Sequence, residues 1–189
     1  MTAPLRVVAV VGALRSPSRT TALVELMLET LAARTEIESR LIELHTLGPG
    51  FTGAAERDQL GAEAGEALRA VEEADLVIAA TPVFRGSYTG LFKHFFDLVD
   101  QYGLAAKPVL LAATGGSDRH ALVIEHALRP LFAFLQAWTA PAGVYLSSGD
   151  FDGTTILNPE VYERVEMAVA DVVPVARALT AVRAGAPVS

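Results

Sequence analysis

A dense group of hydrogen-bond donors follows the first apolar segment of the chain. Within the stretch VVGALRSPSRTTAL, residues 10–23, two arginines and four hydroxyl side chains fall within seven positions; they are Arg15, Ser16, Ser18, Arg19, Thr20 and Thr21. Ser18 is a good N-cap for a following helix, whose first N–H groups are free and carry about half a positive charge. Arginines and hydroxyls beside such a helix end predict a phosphate site, and the lack of a glycine-rich bed favours a phosphomonoester over a pyrophosphate. The alternative is a capped helix with solvated arginines.

A second segment of mixed chemistry, TPVFRGSYTG, occupies residues 81–90. Its apolar and aromatic side chains suit the face of a flat heteroaromatic ring, and its backbone N–H groups suit the edge of that ring. The candidate ring-binding residues are Pro82, Val83, Phe84, Arg85, Gly86, Ser87 and Tyr88. Core or partner contacts are the alternative role for Phe84 and Tyr88.

A pair of glycines, Gly115 and Gly116, opens the third segment, TGGSDRH, residues 114–120. Paired glycines permit positive φ and close approach of the backbone to a ligand, although they also serve in ordinary turns. Ser117 is placed to cap the next helix, and His120 lies one turn inside that helix. We include both residues among the candidate cofactor-binding residues.

The elements between these segments must position them, and the apolar pattern indicates alternating strands and helices. The predicted strands are residues 5–12, 36–44, 74–81, 107–114 and 142–148, and the predicted helices are residues 19–34, 56–73, 90–101, 118–137 and 159–181. This alternation predicts one α/β domain over residues 1–189: a three-layer sandwich with helices on both faces of a five-stranded parallel sheet in the flavodoxin-like order 2-1-3-4-5. Ligands bind such sheets at the carboxyl ends of the strands, where all three candidate segments fall.

Composition and charge exclude several classes of function. The 189 residues are 51% hydrophobic, carry a net charge of −7 and include no cysteine. The negative charge argues against binding to nucleic acid, and the lack of cysteine excludes disulfides, thiolate metal sites and cysteine nucleophiles. No apolar run approaches the roughly 20 residues of a membrane helix. We therefore expect a cytoplasmic protein without membrane contact.

Together the three segments resemble the NAD(P)H-dependent FMN reductases of the flavodoxin-like superfamily, especially the branch that supplies reduced flavin to alkanesulfonate and methanesulfonate monooxygenases. The matching stretches are GALRSPSRTTAL, ATPVFRGSYTGLFKHFFDLV and AATGGSDRHALVIEHALRPLF. The resemblance implies that Arg15, Ser18, Arg19 and Thr20 hold the FMN phosphate, and that residues 82–88 with Gly115, Gly116 and Ser117 line the isoalloxazine. It also implies NADH or NADPH as reductant, no metal, and FMN as a substrate released in reduced form to a partner monooxygenase. It implies no catalytic residue, because the two cofactors carry the hydride chemistry.

One position departs from part of that family. Relatives in the alkanesulfonate system carry a tyrosine where His126 stands, at a π-helical turn in a subunit interface, so the methanesulfonate type is favoured. Pro130 lacks an N–H and its ring clashes with the carbonyl of residue 126, which favours either a π-bulge or an ordinary kink. This helix and the stretch GLFKHFFDLV hold more apolar residues than one helix face needs, so we expect a homodimer or homotetramer with its interface near His126.

Two other functions fit the sequence. A flavin-bound NAD(P)H reductase of quinones or azo compounds would use the same three segments. A non-enzymatic flavodoxin-like electron carrier would fit the acidic charge, but carriers of that type use a Thr- and Gly-rich phosphate loop without arginine. The sequence does not decide between NADH and NADPH.

Overall fold

A parallel sheet with five strand positions carries the site. This computed structural model describes residues 3–183, so residues 1–2 and 184–189 of the predicted domain lie outside the described residues. The strands are β1 (Leu5–Val11), β2 (Ile37–Glu43), β3 (Leu76–Pro82), β4 (Pro108–Gly115), β5 (Trp138–Thr139) and β6 (Val144–Ser147). They run in the order β2-β1-β3-β4, and β5 and β6 share the fifth position beside β4. The predicted flavodoxin-like order is confirmed.

Helices cover both faces of the sheet, as predicted. One face carries α1 (Arg19–Arg34) and α6 (Pro159–Arg183), and the other carries α2 (Pro49–Thr52), α3 (Ala62–Glu73), α4 (Gly90–Asp97) and α5 (Arg129–Phe134). β1, β3 and β4 are almost entirely buried because both of their faces meet helices, which explains their unbroken apolar runs. β2 is an edge strand and is mostly exposed.

Two predicted helices are shorter in the structure. The helix predicted over 56–73 begins at Ala62 and follows a 3-10 turn at Arg57–Gln59. The backbones of Gly50 and Gly61 cross just before it, with the Gly61 N–H 2.9 Å from the Gly50 carbonyl, so the chain cannot be helical there. The helix predicted over 90–101 ends at Asp97.

The helix predicted over 118–137 is divided into three parts. A 3-10 turn at Asp118–His120 comes first, a π-helical turn at Ile124–Leu128 follows, and α5 completes the segment. The Arg129 N–H donates to the Ile124 carbonyl five residues earlier. Of the two alternatives favoured by Pro130, the π-bulge is therefore the one that forms.

The fifth strand position differs from the single strand predicted over 142–148. β5 pairs with the amino-terminal residues of β4, and β6 pairs with Ala112–Gly115 at its carboxyl end. Pro141 lies between them and has no N–H to continue the ladder. Beyond β6, β7 (Phe151–Asp152) and β8 (Thr155–Ile156) form a short antiparallel hairpin that the sequence analysis did not predict.

Fewer apolar side chains are exposed on α4 and around His126 than the sequence predicted. Phe92, Phe95 and Phe96 of α4 are completely or almost completely buried within the chain, so the expectation of exposed apolar residues there is wrong. Leu122 and Phe134, on either side of His126 in the chain, are 60% and 73% exposed.

No helix within residues 3–183 combines the length and the apolar character needed to cross a bilayer.

A buried lysine stabilises the edge of the sheet opposite the candidate segments. Lys107 precedes β4, is 3% exposed, and donates from Nζ to the carbonyls of Glu72 and Ala74 at the end of α3. These carbonyls have no N–H partner within the helix, and the lysine ammonium provides the missing hydrogen-bond donors. Burial lowers the pKa of Lys107 to about 8.

Candidate functional site

A cleft of about 680 Å³ opens at the carboxyl ends of β1, β3 and β4, where the sequence placed the site. Its volume is within the range of roughly 300–1,000 Å³ that holds small-molecule ligands. The predicted residues that line it are Arg15, Ser18, Arg19, Thr20, Pro82, Val83, Gly115 and Gly116. Lining residues that were not predicted are Pro17, Thr114, Ser148, Gly153 and Thr154. Predicted residues that do not line it are Ser16, Phe84, Arg85, Gly86, Ser87, Tyr88, Ser117 and His120.

The helix start in the first segment has the predicted form. Ser18 Oγ accepts hydrogen bonds from the N–H groups of Thr20 at 3.2 Å and Thr21 at 3.3 Å, so Ser18 is the N-cap of α1. Within residues 3–183, the backbone N–H groups of Arg15, Ser16, Ser18 and Arg19 donate to no other group. Free N–H groups at a helix start are what an anion requires.

The two arginines of this segment differ in their surroundings. The Arg15 side chain is exposed and forms no hydrogen bond or ion pair with any residue that the structure describes. Arg19 instead donates from Nε to the Gly153 carbonyl at 2.9 Å and from Nη1 to Ser148 Oγ at 2.8 Å. Its guanidinium carbon also lies 5.5 Å from the centre of the Phe151 ring. Of the two, Arg15 has the guanidinium that is free to bind a ligand.

Hydroxyl groups anchor the first segment to two strands. Ser16 Oγ donates to Glu43 at 3.3 Å and Thr21 Oγ1 donates to the same carboxylate at 2.8 Å, which ties the segment to the end of β2. Thr20 Oγ1 hydrogen-bonds to Thr114 Oγ1 at 2.7 Å, and this buried pair joins α1 to β4. The Ser16 side chain is therefore directed to Glu43, which explains its absence from the cleft.

The second segment forms a tight turn outside the cleft. The Phe84 N–H donates to the Ser87 carbonyl at 2.8 Å and the Ser87 N–H donates back to the Phe84 carbonyl at 3.2 Å. Arg85 and Gly86 between them have φ values of 53° and 84°, as in a type I′ turn. Residues 84–87 do not line the cleft, and the centre of the Tyr88 ring lies 5.9 Å from that of the Phe92 ring, as the alternative core role predicted.

A buried threonine joins the second segment to the first. Thr89 Oγ1 donates to the Gly12 carbonyl at 2.7 Å and accepts from the Phe92 N–H at 3.2 Å as the N-cap of α4. A Cβ on Gly12 would lie 2.8 Å from the Phe92 Cβ, so only glycine allows α4 to approach this closely. This contact sets the distance between two walls of the cleft.

The paired glycines have separate roles. A Cβ on Gly115 would lie 2.2 Å from Tyr145 Oη, which donates to the Ser117 carbonyl at 2.6 Å, so glycine is required there by a neighbouring side chain. Burial, followed by the charges of two nearby aspartates, raises the pKa of Tyr145 and keeps its hydroxyl protonated. A Cβ on Gly116 would meet nothing within 4 Å, so the Gly116 backbone is open to a ligand.

The third segment does not use the positive φ that its glycines permit, and the predicted serine cap is wrong. Neither Gly115 nor Gly116 has a positive φ. The Ser117 side chain makes no capping hydrogen bond, because the residues after it form a 3-10 turn instead of an α-helix.

The electrostatics of the cleft contrast with those of the whole chain. Its lining includes two arginines and no aspartate, glutamate, histidine, lysine or tyrosine, although the chain has a net charge of −7. The cleft therefore suits an anion and offers no side chain that exchanges a proton near neutral pH. Nowhere in residues 3–183 do three metal-ligating side chains gather into a candidate metal site.

The lining residues that the sequence analysis missed lie mostly in one element, which we call the rim hairpin, residues 148–157. It contains β7 and β8 and follows β6, whose carboxyl end lies beside that of β4. Asp150 fixes its base by accepting from the Ser147 N–H at 2.7 Å and Asn158 Nδ2 at 2.7 Å. Burial opposes ionisation of Asp150, but these hydrogen bonds outweigh it and hold the carboxyl pKa below its ordinary value. The Gly- and Ser-rich run SSGDFDGTT, residues 147–155, is the sequence feature that could have indicated a further loop beside the cleft.

Comparisons with known proteins agree with this architecture. Residues 5–152 match the family model described as NADPH-dependent FMN reductase. The chain is 49% identical over 166 residues to the NADH-dependent FMN reductase SfnF of Pseudomonas putida, covering 87% of this chain and 89% of the relative. It is 47% identical over 174 residues to an FMN reductase (NADPH) of Pseudomonas aeruginosa, and the match covers 92% of this chain and 94% of that relative.

Among solved structures, an oxidoreductase from Corynebacterium diphtheriae superposes with a TM-score of 0.77 at 34% identity, covering 92% of this chain and 97% of the other. The family match spans β1 to β7 and so includes every strand that carries the cleft. The chain therefore belongs to the NADPH-dependent FMN reductase family.

Proposed function

We propose that this chain is an NAD(P)H:FMN oxidoreductase that reduces FMN and releases it to a partner monooxygenase. The observation that carries the proposal is the cleft itself, in which a free arginine and free helix-start N–H groups lie at the carboxyl ends of the strands, with no carboxylate among the residues that line it. These groups fit a phosphomonoester dianion. Membership of the family indicates which phosphomonoester it is.

The side chains divide the cleft into a charged part and an apolar part. Arg15 and the N–H groups of Ser18 and Arg19 would bind the FMN phosphate. Pro82, Val83 and the open backbone at Gly116 would contact the isoalloxazine, since this ring needs apolar contact on its face and backbone donors at its edge.

The chain contributes binding and orientation to the reaction. When bound, FMN supplies the ring that accepts a hydride with its two electrons from NADH or NADPH. Because no lining residue has an ordinary pKa near neutrality, the protein acts by holding the two substrates in a reactive arrangement. No residue is assigned a catalytic proton transfer.

The partner, the assembly and the location are also parts of the proposal. The segment resemblance supports an FMNH₂-dependent sulfonate monooxygenase as the partner. The exposed side chains of Leu122 and Phe134 beside His126 support a homodimer or homotetramer that covers them. Dependence on NADH or NADPH supports the cytoplasm as the location.

Steady-state oxidation of NADH and NADPH, each with FMN, FAD, riboflavin or a quinone as acceptor, tests the function. We expect flavin-dependent oxidation, preference for FMN over riboflavin, and release of FMN on gel filtration. Preferential reduction of the quinone by an enzyme that retains FMN would favour the quinone reductase alternative. Failure to oxidise either nicotinamide would favour the electron carrier.

A further inference from the structure

We propose that Arg19 is a positioning residue that holds the rim hairpin as one wall of the flavin cleft, and that it is not a ligand of the phosphate. This inference rests on the proposed function for the identity of the ligand. Both arginines of the first segment line the cleft, yet their contacts differ. Arg15 is free of partners within residues 3–183, whereas Arg19 is held by three residues of the hairpin, Ser148, Phe151 and Gly153.

The geometry commits the Arg19 guanidinium to the hairpin. Nε and Nη1 donate to the Gly153 carbonyl and Ser148 Oγ at 2.9 and 2.8 Å, and the plane lies near the Phe151 ring. A phosphate bound side-on, through Nε and Nη2, would have to displace the Gly153 carbonyl, and one bound end-on would have to share Nη1 with Ser148 Oγ. The exposed Arg15, which has no partner to lose, meets the requirement without any rearrangement.

The hairpin depends on such a tether. Its two strands have only two residues each, and a two-stranded hairpin of that length is marginal alone. Asp150 and the buried Phe151 secure its base, while Gly153 and Thr154 at its tip are exposed and line the cleft. Arg19 joins this tip to the first turn of α1.

The tether also reaches the third segment. Ser148 Oγ, which accepts from Arg19, lies 3.4 Å from the Gly115 carbonyl and donates to it. Arg19 therefore connects α1, the rim hairpin and the end of β4, which are three sides of one cleft. Loss of the guanidinium should loosen the wall for any flavin, with or without a phosphate.

The test compares Arg19→Ala with the matched variant Arg15→Ala, which removes the same charge four residues earlier. Dissociation constants for FMN and riboflavin are measured by flavin fluorescence, and amide hydrogen exchange over residues 148–157 is measured in the flavin-free protein. For Arg19→Ala we expect about tenfold weaker binding of both flavins, as the loss of two hydrogen bonds predicts, and faster exchange in the hairpin. For Arg15→Ala we expect weaker binding of FMN alone and unchanged exchange.

Two further variants keep the test decisive if Arg19→Ala folds poorly. Arg19→Lys keeps the charge but not the planar fork, so it should behave like the alanine variant. Ser148→Ala removes one partner of Arg19 and should reproduce part of both effects. In each variant KM for FMN should rise while kcat at saturating FMN stays near that of the unchanged enzyme, because the lost contact binds ground state and transition state alike.

Two results would overturn the inference. Weaker binding of FMN with unchanged riboflavin affinity in Arg19→Ala would make Arg19 a phosphate ligand, and unchanged exchange in the hairpin would mean that Arg19 does not hold it. The exchange measurement needs no flavin, so it reports on the tether even if the cleft binds another ligand. Failure of the unchanged protein to bind FMN would instead reject the proposed function.

Discussion

Replacement of Arg15 by alanine should weaken FMN binding while leaving riboflavin binding unchanged. Riboflavin carries the same ring and ribityl chain but no phosphate, so the ratio of the two effects isolates the phosphate contact. A hydrogen bond to a charged group contributes about 1.5–3 kcal/mol, which corresponds to roughly 10- to 150-fold in affinity. Because Arg15 is exposed and its interactions are screened by salt, we expect the lower end, about 10- to 20-fold at 0.1 M salt.

The fold should tolerate this substitution. Arg15 has no hydrogen bond or ion pair in the described part of the chain, so the free energy of unfolding should change by less than about 0.5 kcal/mol. Arg40→Ala is the matched control, because Arg40 is also exposed and lies outside the cleft on the edge strand β2. It removes one positive charge without touching the site.

Flavin fluorescence titrations at low and high salt, without nicotinamide, measure the effect. The FMN loss in Arg15→Ala should shrink as salt rises, and Arg40→Ala should bind both flavins normally. Equal losses of FMN and riboflavin affinity in Arg15→Ala would refute the reasoning, because the arginine would then not meet the phosphate. The same loss in Arg40→Ala would show that overall charge, and not a placed contact, attracts FMN.

Three further predictions concern the framework of the cleft. Gly115→Ala should lower the free energy of unfolding by about 1–3 kcal/mol because its Cβ would overlap Tyr145 Oη, and Tyr145→Phe in the same chain should restore part of that loss in urea melts. Thr89→Ala should lower the free energy of unfolding by about 1–3 kcal/mol and weaken riboflavin and FMN binding together. Thr89→Ser keeps the hydroxyl and should match the unchanged protein in both measurements. Equal effects of the two variants would contradict the role of the hydroxyl. Because the pKa of Lys107 is lowered to about 8, the folded chain binds fewer protons than the unfolded chain between pH 8 and about 10.4. The free energy of unfolding should therefore rise with pH across that window by at most about 3 kcal/mol, and urea melts of Lys107→Met should lack this rise.

Much of the site could be predicted from local sequence because its parts are local. An N-cap needs only a suitable side chain directly before a helix, and Ser18 makes the bonds expected of it. Buried parallel strands need unbroken apolar runs, and those of β1, β3 and β4 place three loops at one edge of the sheet. The π-turn was one of two local alternatives at Pro130, and both follow from the missing N–H.

Other parts of the site depend on contacts between distant residues. The sequence could not show that Ser16 donates to Glu43, 27 positions away, or that the Arg19 guanidinium bonds to Gly153, 134 positions away. The turn at residues 84–87 was not visible in the sequence for a different reason. Its aromatic and cationic residues suit a ligand in composition, but the positive φ values of Arg85 and Gly86 belong to a tight turn, and residues 84–87 do not line the cleft.

The sequence by itself determined the order of the strands, the edge of the sheet that carries the cleft, and the residue types that suit a phosphate, because these follow from hydrophobic period and helix-end chemistry. The tertiary structure alone decided which donors are free. Arg15 and Arg19 are the same residue type in the same segment, and only the hairpin that packs against α1 distinguishes them. Gly115 likewise is glycine because of Tyr145, a residue 30 positions later that the fold brings beside it.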